Sequence, residues 1–309
     1  MTSLVATTVV RGKHTSDAEA GVFLIDIDQQ RTRQLLNWSD GTSDWSGPDN
    51  SHGLGPIAFD DQRVFMAGDQ TVFEFDRAFN LIASYRCPYL KNCQAISRYR
   101  RRLYMVSSDY DSILGFDLDN NAFRWGLHVT RDRRGLRAAP FNPAAASGPA
   151  ESSSLAINSL VCNQDAMYLS GAGTRGLHAY TGQYLRKVAL LPDGIRNAMP
   201  HRDGIVFNDT AKRIVRFVRD TGAQRAFNIP VYNPQHLTHV DSGQPGVVEQ
   251  AFGRGLCAID DRRIAAGSSP ATITIYDLDA VKTEISMNLS MDLRTAIHGL
   301  ELWPFASDN

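Results

Sequence analysis

The chain has 309 residues, 43% of them hydrophobic and 21% charged, with a formal net charge of −1. That apolar content can build a sizeable core, while near-neutrality offers no basic face for nucleic acid or an anionic membrane. No apolar stretch approaches the roughly 20 residues a bilayer-spanning helix needs, and Met1-Thr2-Ser3-Leu4-Val5 lacks the basic segment and long apolar run of a secretion signal. Cys87, Cys93, Cys162 and Cys257 show no C-x-x-C spacing, which points to reduced thiols and a cytoplasmic protein.

The first predicted elements are three strands, Leu4 to Val10, Gly21 to Asp26 and Arg33 to Leu36. A loop over 38 to 54 follows, carrying Trp38, Trp45 and His52, whose rings would cover a ligand or pack on the strands beneath. Then a template recurs five times. Each copy opens with a short apolar strand anchored at Ile57, Ile96, Leu160, Met199 or Cys257 and passes through a polar turn such as Asp60-Asp61-Gln62-Arg63. A second apolar strand follows, and a third ends on an aromatic residue: Phe75, Phe116, Tyr180, Phe217 or Tyr276. Anchor and aromatic are 18 to 20 residues apart in every copy. With a less regular fourth strand, as at Leu81 to Tyr85, each unit has the length and rhythm of a β-propeller blade.

The last predicted strand, Ala296-Ile297-His298-Gly299-Leu300-Glu301-Leu302-Trp303-Pro304, has no followers of its own. Its sheet is completed by the three N-terminal strands, which protects edges that would otherwise pair with other chains. The prediction is an all-β fold, a six-bladed β-propeller over residues 1–309, its last blade closed by N- and C-terminal strands. Two connections are long, 128 to 155 and 229 to 253, and both are expected as loops on one face of the ring. The first holds Arg131, Arg133, Arg134 and Arg137; the second holds Tyr232, His236, His239 and Asp241. The basic run Arg98 to Arg102 and His201 are expected on solvated surface turns.

A ring of blades has an axis, and the loops that lead into the inner strands share one face around it. Two positions before each anchor stand Gly55, Gln94, Asn158, Asn197, Gly255 and His298, so four polar side chains meet at the mouth of apolar strands. A one-residue shift of the fifth anchor adds Arg254. Gln94, Asn158, Asn197 and Arg254, with His52 and Trp45 from the overlying loop, are therefore candidate substrate-binding residues. His298 is the candidate general acid or base, because an imidazole titrates near neutral pH, and His239 with Asp241 forms a candidate orienting pair. His298 and His52, joined by His236 or His239, are also a candidate transition-metal set.

Asn158 in Ile157-Asn158-Ser159-Leu160, and Asn208 with Asp209 in Phe207-Asn208-Asp209-Thr210, make the chain resemble the six-bladed gluconolactonase, paraoxonase and strictosidine synthase-like proteins. The resemblance implies a divalent cation such as calcium on the axis, held by Asn158, Asn208 and Asp209 through hard oxygen donors. The early inner-strand positions that would complete such a set are Gly55 and Gln94 here. Together these readings predict a small-molecule enzyme of hydrolase or lyase type working at the channel mouth. The alternatives are a non-catalytic propeller that binds a ligand or a protein, and a metal-dependent enzyme that is lactonase-like or histidine-ligated.

Overall fold

The structure is a computed structural model that describes residues 2–11, 20–37, 53–240 and 249–305. Six antiparallel sheets surround one channel, and five of them run from the channel outward in chain order. Blade one comprises Ile57–Asp60, Arg63–Ala67, Thr71–Phe75 and Leu81–Arg86. Blade two comprises Cys93–Tyr99, Arg102–Ser107, Ser112–Asp117, Ala122–Asp132 and Gly135–Phe141. Blade three comprises Ile157–Cys162, Met167–Gly171, Leu177–Tyr180 and Leu185–Ala189; blade four comprises Ile195–His201, Gly204–Asp209, Ile214–Arg219 and Gln224–Asn228. Blade five comprises Leu256–Ala258, Arg263–Ser268, Thr272–Asp277 and Lys282–Asn288. Blade six begins with Thr295–Leu302 and continues with Ser3–Val10, Gly21–Asp26 and Arg31–Asn37.

The expected closure is present. Val5 pairs with Glu301 and Val10 with Thr295, so the two ends of the chain share one ladder. Strand side chains alternate between the two faces of a sheet, and in a propeller both faces meet a neighbouring blade. Leu4 and Ala6 accordingly pack with Ile273, Ile275 and Ile297 toward blade five, while Val5 packs with Leu54, Ile57, Val64 and Phe75 toward blade one. Six such apolar cores fill the six gaps between blades. Buried Thr7 pins the closure. Its hydroxyl donates to the Gly55 carbonyl and accepts the Gly299 N–H at 2.8 Å.

Three expectations are corrected. Residues 128 to 141 do not loop over the ring: the fourth strand of blade two runs on to Asp132, turns, and returns as the fifth strand Gly135–Phe141. The arginines that suggested a loop belong to this outer hairpin, where Arg137 pairs with Asp132 and Arg131 donates to the Gly173 carbonyl at 2.5 Å. His201 is not on the surface but 8% exposed, with Nε2 3.2 Å from the Asp261 carbonyl. The basic run is only partly solvated, because Arg98 and Arg101 reach back to buried Asp60 of blade one at 2.7 and 2.9 Å. No helix among the described residues is long and apolar enough to cross a membrane.

Candidate functional site

The side chains at the channel mouth owe their placement to one local device. Three of the inner strands carry a β-bulge where the sequence shows its polar residue: Gln94 with Ala95 lies opposite Val106, Asn158 is inserted between Ile157 and Ser159, and Asn197 with Ala198 lies opposite Phe207. The fourth is in blade six, where His298 is the extra residue between Ile297 and Gly299. A bulge breaks the alternation and re-aims a side chain away from the sheet face it would otherwise occupy. Asn197 adopts a left-handed φ of 53° to do so. On blade five the same level is reached through Gly255, whose φ of 78° suits glycine and leaves Arg254 at the mouth.

Arg254 joins three blades. Its Nη2 donates to Oε1 of Gln94 at 2.8 Å and to Nε2 of His298. Arg196 donates to the same Gln94 oxygen at 3.3 Å from blade four. The orientation of the Gln94 amide follows from a chain of hydrogen bonds that ends on a carboxylate. Asp109 accepts from Asn92 Nδ2 at 3.0 Å, so the Asn92 oxygen is free to accept from Gln94 Nε2, and Gln94 Oε1 is turned to the arginines. Phe252 lies beneath two guanidinium groups, with Arg196 5.1 Å and Arg11 5.0 Å from its centroid.

His298 is 7% exposed. Burial first, and then the positive charges of Arg254, Arg196 and Arg11, hold its pKa well below the usual histidine value. The ring is therefore neutral near pH 7. Since a guanidinium only donates, Nε2 must accept from Arg254, and the ring proton resides on Nδ1. That Nδ1 is buried and has no hydrogen-bond partner among the described residues. Asn197 is spent differently: its Oδ1 accepts from Asn208 Nδ2 at 3.2 Å and from the Gly255 N–H at 3.1 Å, tying blade four to blade five.

The channel below the mouth encloses about 440 Å³ and runs past Leu160, Met199 and Cys257 to Ser97, Arg98, Glu301 and Leu302. Burial pushes the Glu301 carboxyl up to about 8, so this acid is largely protonated at neutral pH. Burial likewise raises the thiols of Cys93 and Cys257, the latter with help from the Glu301 charge, which makes both poor nucleophiles.

The structure brings together only part of the predicted set. Gln94, Asn197, Arg254 and His298 converge; Arg196, Arg11 and Phe252 join them without having been expected. Asp209 does not face the axis, because its carboxylate accepts from Arg216 Nε at 2.8 Å and from the Lys212 N–H at 3.3 Å. The described partner of His239 is Asp292, 3.2 Å from its Nδ1, and Asp292 is also held by Arg294; the expected partner Asp241 lies outside the described residues. His52 and Trp45 lie outside them too.

The donor set does not fit the divalent cation that the resemblance implies. Asn158 Oδ1 and Asn208 Oδ1 are buried amide oxygens without partners among the described residues, as a calcium site requires. Asp209, however, already serves Arg216, and the charges that act on the mouth are guanidinium groups, which repel a cation. Among the described residues no cluster of three or more His, Cys, Asp and Glu side chains offers an alternative site.

No family model matches the chain, and no curated protein matches it in sequence. Its shape is nonetheless shared. A chain from the crystal structure of a nidogen/laminin complex superposes with a TM-score of 0.59 at 9% identity, covering 97% of each chain. The computationally designed protein Ika8 superposes with a TM-score of 0.50 at 10% identity, covering 95% of this chain and 90% of that one. At such identities the likeness concerns the fold alone, and the chain is a six-bladed β-propeller.

Proposed function

We propose that this propeller is a small-molecule binding protein whose site is the mouth of the axial channel. The observation that carries the reading is the contact of Arg254 with Gln94 and His298, which gathers polar groups from three blades at the rim of an open 440 Å³ channel. The inner-strand bulges at Gln94 and His298 serve that one place, and a few convergent polar groups over an apolar cavity are the usual anatomy of a ligand site. Recognition explains His298 better than hydrolase or lyase chemistry does. Its Nε2 is taken by Arg254, its basicity is suppressed by burial and by three cations, and its remaining role is that of a neutral acceptor that fixes the Arg254 guanidinium.

A crystallographic fragment screen tests the reading without presuming a ligand class. Bound fragments are expected to concentrate against Arg254, Gln94 and His298. Fragments found elsewhere on the protein, with none at the mouth, would overturn it.

A further inference from the structure

Resting on the reading of the mouth as a small-molecule site, we propose that the group it takes there is a carboxylate, seated against Arg196 and Arg254. The starting point is a charge without its counterpart. Arg196 is partly buried at the mouth, contacts only the neutral Gln94 amide and the Phe252 ring, and has no carboxylate partner among the described residues. Removing a guanidinium from water is costly unless an anion offsets it, and proteins leave such a charge open where a ligand supplies the anion. The neighbouring geometry suits that ligand. Gln94 Oε1 is a planar oxygen that already accepts from Arg196 and Arg254 together, so the two forks converge on an acceptor of carboxylate type.

His298 marks the same spot from blade six: its Nε2 accepts from Arg254, which fixes that guanidinium beside Arg196 at the Gln94 oxygen. The flat fork of Arg196 matches two coplanar oxygens, and this favours a carboxylate. Since Asp109 fixes the Gln94 amide through Asn92, the oxygen presented to the arginines cannot swing away without breaking that chain.

The test uses pairs that differ in charge but hardly in shape: acetate with acetamide, and benzoate with benzamide, titrated calorimetrically into the full chain. Each anion is expected to bind at least about tenfold more tightly than its amide, the lower end for a charged hydrogen bond. Arg196→Gln should erase the difference and Arg196→Lys restore part of it. Gln94→Glu tests the same seat from within, because its carboxylate would offer both guanidinium groups the missing negative charge, at the loss of the hydrogen bond from Nε2 to Asn92. It should abolish anion binding, with a cooperative thermal transition showing that the protein is folded. Amides that bind as tightly as their anions, or a Gln94→Glu protein that still binds benzoate like the wild type, would overturn the proposal. Neutral fragments at the mouth with no preference for the anions would remove the carboxylate and leave the small-molecule site standing; an empty mouth in the fragment screen would remove both.

Discussion

Gly55 lies flush against the imidazole of His298, so that a methyl group at position 55 would stand 2.7 Å from Cε1 and 2.8 Å from Nε2. Blade one thus forms the back of the pocket that holds the blade-six histidine under Arg254. Gly55→Ala is expected to displace the ring and cost about 1–3 kcal/mol of stability, as overpacking does. Urea denaturation of Gly55→Ala, His298→Ala and the double variant checks this. The double variant should recover most of the cost of the alanine, and additive costs would show that the two residues are not coupled.

The same histidine gives stability a dependence on acid. Its folded pKa lies below the unfolded value near 6.5, so its contribution is complete above that value and is lost as pH falls toward the folded pKa. Melting temperatures should drop between pH 7 and pH 5, and His298→Gln should flatten part of the decline. Buried His178 and His201 are shifted in the same direction and account for the rest.

Glu301 works in the opposite sense. Its pKa rises from an ordinary 4.5 to about 8 on folding, so its contribution is complete below about 4.5 and is lost as pH rises through about 8. Glu301→Gln should match the wild type at pH 4.5 and melt at least ~2 °C higher at pH 9, a shift that about 1 kcal/mol would produce. Equal melting temperatures at pH 9 would place the carboxyl in water.

At the far side of blades one and two, Asp60 accepts Arg63, Arg98 and Arg101 at 2.7, 2.7 and 2.9 Å while its own side chain is fully buried. Burial alone would raise its pKa, but the hydrogen bond from Arg63 and the charges of Arg98 and Arg101 outweigh it and hold the carboxyl below the usual range. Asp60→Asn should cost about 3 kcal/mol, since it removes the buried negative charge that three guanidinium groups share and turns an N–H₂ donor toward them in place of one oxygen. It should also remove the part of acid denaturation that sets in as pH falls below the ordinary carboxylate value, both readable from chemical denaturation at pH 7 and pH 3.

Trp303 closes the seam between blades six and one, with ring centroids 5.7 Å from Phe59, 6.3 Å from Phe79 and 4.8 Å from Phe305. Trp303→Ala is expected to cost about 3 kcal/mol, at the lower end for a large aromatic because the ring is only partly buried. A smaller loss in urea denaturation than for Trp125→Ala in blade two would show that the seam is not held by this cluster.

The ring was legible because its information is local and repeated. Anchors from Ile57 to Cys257 recur with their aromatics at nearly constant spacing, and both faces of every sheet are buried, so the strands read as apolar runs. The outer hairpin of blade two was not legible, since Arg131 to Arg137 faces solvent and carries no alternation to mark a strand. At the mouth, position alone found Gln94, Asn197 and His298. It missed Arg196, which pairs regularly with Asn208 just before the bulge at Asn197 and Ala198, because no pattern of residue types announces that bulge or where the residue ahead of it points. Asp209 misled for the complementary reason: the sequence shows a carboxylate next to Asn208 but not the Arg216 seven positions on that claims it.

The pairing of Ser3–Val10 with Thr295–Leu302 also sets an order of events during synthesis. Gly299 and Thr7 are 292 positions apart, which is roughly 15 to 60 s of translation at ordinary elongation rates. Until then three N-terminal strands wait as an unfinished sheet, their inner edge open to any passing strand. The nascent chain therefore needs shelter longest at the end that emerged first, and the His298 pocket comes into being only when the ring snaps shut.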